Sequence, residues 1–260
     1  MQTIKYGSFE SQEADIYLSE SLCLPVVCLL HGGFWRMPYG REEMTSIAQD
    51  LVRRGFAVWN LEYRRVGASG GGWPGTLEDV VAGINYLTVL AAEGLNLDLT
   101  RVTLIGHSAG GHLALLAAAN GNKSKNTVNS IRLKPIAAVG LAPVVDLERT
   151  FAFGSGKNAV DEFMGGTPQQ YPGRYFAASP IAQVPLGVQQ LIMHGSKDEV
   201  LPIELSRNYS KTAITAGDMV DFIELPGASH MDFLDPESMA HSALCRWLSV
   251  HSQSKGGMEK

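Results

Sequence analysis

Val102-Thr103-Leu104-Ile105-Gly106-His107-Ser108-Ala109-Gly110 is the stretch on which the reading of this chain turns. An apolar, β-branched run enters a Gly-x-Ser-x-Gly turn, and an Ala- and Leu-rich run with helical character, 109–120, leaves it. Glycines on either side of the serine let the chain corner sharply and approach neighbouring backbone without Cβ clashes. Such a strand–turn–helix unit lifts the Ser108 hydroxyl clear of the sheet and sets it at a helix N-terminus, where partial positive charge gathers. Ser108 is therefore the candidate nucleophile.

The rest of the chain repeats that alternation. Apolar runs at 26–30, 56–63, 101–105, 135–141, 188–194 and 219–225 alternate with helical patterns at 41–54, 76–93, 109–120, 203–216 and 236–251. Two short strands are expected ahead of them, near 3–6 and 14–18. The pattern predicts an α/β class with a mostly parallel central sheet and helices on both faces, since strands covered on both sides read as continuous apolar runs. Gly55 is expected to stop the 41–54 helix, and Thr76, with Asp79 three residues on, to cap the next. After the fourth buried strand the rhythm breaks: residues 142–187 hold Phe151, Phe153, Phe163, Tyr171, Tyr175 and Phe176 among many Gly and Pro. They are read as a small cap-like insertion within a single domain spanning 1–260. The polar stretch 121–134 is read as a surface loop and 252–260 as a disordered tail.

With 260 residues, 45% hydrophobic and 18% charged, the chain can bury a large core without disulfides or metals. Net charge is −5 with no basic stripe, which argues against nucleic acid and anionic membrane as partners. Three cysteines, Cys23, Cys28 and Cys245, form no Cys-x-x-Cys pair, and Cys28 and Cys245 read as small buried hydrophobes. No cofactor and no metal is called for. No run reaches the ~20 apolar residues that span a bilayer, and residues 1–10 lack the pattern of a secretory signal, so a cytoplasmic location is expected.

A serine hydroxyl is a weak nucleophile at neutral pH and needs a base. Of seven histidines only His230, in Pro226-Gly227-Ala228-Ser229-His230, lies after the last strand and before the last helix. His31 and His107 sit inside glycine motifs, His112 on the post-turn helix, His194 at a strand end, and His241 and His251 on the closing helix. Two acids are candidates to orient His230. Asp198 follows the strand at 188–194, within the His-Gly-x-x-Asp-x-x-Leu-Pro run His194–Pro202; Asp146 follows the strand before it. Asp198 is preferred, and its task would be to fix the imidazole tautomer. Asp232 is read as structural. His31-Gly32-Gly33-Phe34-Trp35 follows the first buried strand, where a second oxyanion-binding N–H is required, so Gly33 and Phe34 are the expected donors beside Ala109. Phe34, Trp35 and Trp73 are loop aromatics; Trp35 and Trp73 are expected to bind substrate, with packing under the insertion as the alternative. Trp59 and Trp247 are read as core.

His-Gly-Gly-Phe-Trp, Gly-His-Ser-Ala-Gly-Gly-His-Leu-Ala, the His194–Pro202 run and Gly-Ala-Ser-His together resemble α/β-hydrolases of the esterase/lipase and arylformamidase group, over roughly residues 24–250. The His-Gly-Gly-x-Trp loop is similar to that of kynurenine formamidases, whereas Phe34 stands where hormone-sensitive-lipase-type esterases carry a third Gly. The resemblance implies the α/β-hydrolase fold and a serine carboxylesterase acting on small, short-acyl esters through an acyl-enzyme. Arylformamidase activity, or hydrolysis of a small peptide or amide by the same residues, is the alternative. A catalytically idle ligand receptor is the reading from another class, and the complete Ser108, Asp198, His230 set argues against it.

Overall fold

The computed structural model describes residues 1–19, 23–122 and 130–252. Eight strands among them form one sheet: β1 (Gln2–Lys5), β2 (Glu13–Tyr17), β3 (Leu24–Leu30), β4 (Ala57–Leu61), β5 (Leu97–His107), β6 (Ala137–Leu141), β7 (Gln189–Gly195) and β8 (Val220–Leu225). Their order is β1-β2-β4-β3-β5-β6-β7-β8. The β1–β2 and β2–β4 pairs are antiparallel, and every later pair is parallel. Eight α-helices accompany them: α1 (Thr45–Arg53), α2 (Gly75–Ala92), α3 (Ala109–Asn122), α4 (Leu147–Phe153), α5 (Ala159–Met164), α6 (Pro172–Ala178), α7 (Ile203–Thr215) and α8 (Met239–His251). This is the α/β-hydrolase fold.

Alternation along the strands divides the core in two. Cys28 and Leu30 of β3 pack on one face with Val80 and Ile84 of α2 and Leu113 of α3. Val27 and Leu29 face the other way, against Ile47 and Leu51 of α1 and Leu244 and Leu248 of α8. Both faces are covered, which is why β3 reads as an unbroken apolar run.

The insertion is built of α4, α5, α6 and a 3-10 turn, Pro180–Gln183. It is continuous with the first core, into which it sends Phe163, Met164 and Tyr175, while Phe153 and Phe176 stay exposed. Thr76 departs from its expected role. Helix α2 begins at Gly75 without a side-chain cap. The Thr76 hydroxyl instead donates to the Arg64 carbonyl at 2.6 Å, and Asp79 is drawn into a buried ion pair with Arg64 at 2.6 Å. The backbone carbonyl of Arg64 takes the Thr76 hydroxyl and its guanidinium takes Asp79, so neither side chain is left for a local cap. Arg41–Met44 is a 3-10 turn, so the helix expected from residue 41 starts at Thr45; Gly55, past its end, has φ +91°. Helix α3 runs to Asn122 and takes the first residues expected as loop, of which 123–129 lie outside the described residues. Ser252, expected to open the tail, is buried at the end of α8, and 253–260 lie outside the described residues. No described helix is long and apolar enough to cross a membrane.

Candidate active site

Ser108 occupies the apex between β5 and α3 with φ +53°, a left-handed conformation that strains any residue with a Cβ. Neighbouring backbone holds it there. Its N–H donates to Leu141 of β6 at 2.8 Å, and its carbonyl accepts from His112 at 3.1 Å and Val144 at 3.2 Å. The flanking glycines are required by close approach: a Cβ at Gly106 would strike the Gly110 carbonyl, and one at Gly110 the Leu30 carbonyl of β3. Ala109 opens α3, so its N–H has no partner within the helix and is free to meet a negative charge above Ser108.

The loops after β7 and β8 converge on the same end of the sheet. Asp198 Oδ2 lies 2.7 Å from His230 Nδ1. Asp198 Oδ1 accepts from the N–H groups of Val200 and Leu201, both at 2.8 Å. Burial pushes this carboxyl up, but hydrogen bonds from His194 and His230 outweigh it and hold the group well below the usual carboxylate range. Asp146 does not meet His230. Its carboxylate caps α4, accepting from Arg149 N–H at 3.0 Å and pairing with the Arg149 guanidinium at 3.6 Å. Asp232 accepts from the Ser229 N–H at 3.0 Å and hydroxyl at 2.8 Å, which steadies the turn before His230.

Sequence reasoning missed a second tie. His107 Nε2 lies 2.9 Å from the His230 carbonyl oxygen, to which it donates, and the two rings are 4.6 Å apart. Burial, aided by the nearby His230, drives His107 down to about 3, so it is a neutral donor. Its place between Gly106 and Ser108 was the available signal: a side chain there must lie against whatever covers the elbow.

The loop after β3 is pressed onto this apex. A Cβ at Gly32 would stand 3.0 Å from His107 Nδ1 and 3.4 Å from Ser108 Cβ. Gly33, Phe34 and Trp35 follow with φ of +87°, +56° and +56°, and the N–H groups of Gly33 and Phe34 donate to no protein group among the described residues. The loop is braced from below. The Tyr63 hydroxyl donates to the His31 carbonyl at 2.7 Å, its ring stacks on the His31 ring at 4.2 Å, and His31 Nε2 lies 2.9 Å from Glu62. Glu62 is buried, which raises its pKa, yet the His31 and Arg65 interactions prevail and lower it.

Trp35 and Trp73 pack under the insertion, the alternative that the sequence left open for them. Trp35 is only 1% exposed, stacked on Phe163 at 4.5 Å and edge-on to His112 at 5.2 Å. Its positive φ turns the ring inward, where the insertion offers an aromatic slot. Trp73 packs against the same core, and its N–H donates to the Phe163 carbonyl at 2.8 Å. Neither lines the cleft of about 700 Å³ beside Asp198, whose walls include Phe34, Phe153, Gly156, Lys157, Glu199 and Pro202. Gly156 must lack a side chain because the Phe34 ring lies on it.

One group of metal-ligating types exists among the described residues, Asp50, His241 and Cys245, between α1 and α8 and away from this site. Asp50 is occupied there by Arg53 at 3.0 Å, by Arg54 at 2.5 Å and by His241 at 2.7 Å. Burial pushes the Cys245 thiol up to about 11. Two guanidinium groups on the only carboxylate make this a poor cation site.

Residues 14–212 match the family described as BD-FAE. Esterase LipC of Mycobacterium tuberculosis is 26% identical over 89% of this chain and 60% of its own length. Kynurenine formamidase of Salmo salar is 30% identical over 44% of this chain and 36% of its own length. The chain thus spans less than two thirds of the length of either relative. Among solved structures, a truncated carbohydrate esterase from gut microbiota superposes with a TM-score of 0.82, at 26% identity, over 97% of this chain and 96% of that one.

Proposed function

Because this chain belongs to the BD-FAE family, we propose that it is a serine carboxylesterase that cleaves small, short-acyl esters through an acyl-enzyme on Ser108. The observation that carries this reading is the buried 2.7 Å Asp198–His230 pair, tied through His107 to the elbow that holds Ser108 at φ +53° on a helix N-terminus. With Nδ1–H committed to Asp198, Nε2 of His230 is the bare nitrogen that takes the Ser108 proton as Oγ attacks the ester carbonyl. The N–H groups of Ala109 and of Gly33 or Phe34 receive the oxyanion. His230 then protonates the departing alcohol. A water, deprotonated by the same nitrogen, attacks the acyl carbonyl and frees Ser108. No step calls for a cofactor.

The short-acyl preference follows from where the aromatics are. Trp35 and Phe163 stack beneath the insertion with Trp73 packed against them, and the open cleft walled by Phe34, Phe153 and Asp198 is the proposed place for the acyl chain. Each acyl methylene contributes ~0.8 kcal/mol only while it is being buried. Across p-nitrophenyl esters kcat/KM should peak between acetyl and butyryl and fall before decanoyl; a rate still climbing at dodecanoyl overturns this. The matches to esterases support ester hydrolysis, and the kynurenine formamidase match keeps a second reading open. The aromatic walls of the cleft suit a flat leaving group, so N-formylkynurenine should be assayed beside p-nitrophenyl acetate. A stopped-flow burst with the acetyl ester, equal in size to the enzyme concentration, is the expected sign of the acyl-enzyme. Faster turnover of the formamide would select the second reading, and hydrolysis of neither substrate would remove both.

A further inference from the structure

His194 was expected only as the last residue of a strand. It is fully buried, and Asp198 beside it is 1% exposed. An ionised carboxylate presents about four lone-pair sites, and at Asp198 each faces a donor. Oδ1 takes two backbone N–H groups. Oδ2 faces His230 Nδ1 at 2.7 Å and His194 Nε2 at 3.2 Å. His194 Nε2 also lies 3.0 Å from the Leu201 carbonyl oxygen. Neither oxygen can donate, so Nε2 carries the hydrogen. Nδ1, 2.8 Å from the buried Ser206 hydroxyl of α7, then accepts from it. The Leu201 carbonyl and Asp198 thus fix the tautomer of His194, Ser206 anchors its other nitrogen, and the one Nε2–H lies between the Leu201 carbonyl at 3.0 Å and, at 3.2 Å, the oxygen that His230 also uses.

We propose that His194, anchored at Nδ1 by Ser206, is a positioning residue that holds the Asp198 carboxylate in register with His230 and moderates its pull on the His230 proton. The proposal rests on the esterase reading for its kinetic arm only. The groups facing His194 are Asp198 and Leu201 on the loop, Ser206 on α7, and Glu224, its register partner on β8, which is paired outward with Arg207 at 2.7 Å. Without the His194 N–H, Oδ2 would be less satisfied and would draw harder on His230, raising the pH at which His230 gains its second proton. The carboxylate would also be free to turn.

The test uses His194→Leu, His194→Gln and Ser206→Ala in the full chain, each checked by thermal unfolding. Two readouts are taken: the pH profile of kcat/KM with p-nitrophenyl acetate, and the downfield proton resonance of His230 Nδ1–H, assigned by its loss in His230→Gln. His194→Leu should lose about tenfold to a hundredfold in kcat, the worth of one hydrogen bond to a charged group, with KM little changed. Its acid limb should move up by about half a pH unit to one unit, and the downfield resonance should move with it. His194→Gln, which keeps a donor at the Nε2 position, should recover most of each effect, and Ser206→Ala should show a smaller shift in the same direction. A pH profile and resonance unchanged in His194→Leu, or a Gln variant no better than Leu, overturns the proposal. If His194→Leu does not fold, an unshifted resonance in Ser206→Ala overturns it. Should the wild type hydrolyse no ester, the functional reading fails, and the resonance still decides the role of His194.

Discussion

Two regions lean on the elbow, and each is tied to it by one buried histidine. His107 Nε2 meets the His230 carbonyl at 2.9 Å and so secures the loop that carries the base. His112, on the first turns of α3, meets the Ala178 carbonyl at 2.8 Å and so secures the insertion. Beyond these parallel ties the regions are built differently. The acid and base loops are organised by directional polar contacts: Asp198 to His230, to two N–H groups and to His194. The insertion is held by stacked rings, Trp35 on Phe163 with His112 edge-on to both. Directional bonds place atoms where proton transfer requires them; ring stacking fills volume and shapes a wall. Damage to the first region should therefore appear in kcat, and damage to the second in stability.

The largest effect expected is at the apex. Ser108→Ala should cut turnover by roughly 10³- to 10⁶-fold, because the proposed triad acts as a unit. Its melting temperature should not fall, since Ala loses no packed atoms beyond one hydroxyl. A serine-directed organophosphate should label Ser108 alone, and label on another serine would break the assignment of the polar region as the reacting one. Next in size is the acid. Asp198→Asn should cost ~10⁴-fold in kcat by inverting the His230 tautomer. Asp146→Ala should instead cost about 1 kcal/mol of stability through the lost cap on α4, with kcat within a few-fold of wild type. A reversal of the two kinetic results would place the working acid after β6.

That contrast also explains what could be read from the sequence. Ser108, His230 and Asp198 sit in turns whose residues encode local geometry: glycines where backbones touch, a histidine between the last strand and helix, an acid in a recognisable strand-to-helix run. The eight strands and their mostly parallel sheet were legible because continuous apolar runs alternate with helical periods. Thr76 was misread, and Trp35 and Trp73 were left between two readings, because partners distant in sequence decide their places. Thr76 answers to the Arg64 carbonyl and Trp35 to Phe163, 128 positions later, and neither pairing leaves a local trace. His194 was visible as a residue, but its role depends on Ser206, which reaches it only once β7 and α7 are packed.

Trp35 sharpens the comparison from the other side. Trp35→Ala should destabilise the fold by about 3–5 kcal/mol, the usual cost of emptying a buried aromatic site. Activity should be lost through unfolding and recover at lower temperature. If Trp35 instead bound substrate, KM would rise while the melting temperature held, and the insertion would have to be regarded as part of the binding machinery.

The smallest effect separates the two histidine ties by pH. Burial lowers His112 to about 4 and His107 to about 3, against about 6.5 in an unfolded chain. Above pH 6.5 both are neutral folded or unfolded and contribute no pH dependence. As pH falls below 6.5 the unfolded chain takes up protons that the folded one refuses, so stability declines across the window from 6.5 to about 4 for His112, and to about 3 for His107. His112→Gln keeps a donor for the Ala178 carbonyl and removes the titration. It should flatten the decline by on the order of 1–2 kcal/mol between pH 7 and pH 5, with kcat at pH 7.5 unchanged. His107→Gln should flatten it too, but should also lower kcat, because the loop carrying His230 is what that side chain holds. Urea unfolding at pH 7.5, 6 and 5 measures the slopes. An unaltered slope in His112→Gln would mean the histidine is not neutral and buried as described. A fall in kcat equal to that of His107→Gln would mean the insertion orients the reacting groups as strictly as the polar loops do, and the division between the two regions would fail.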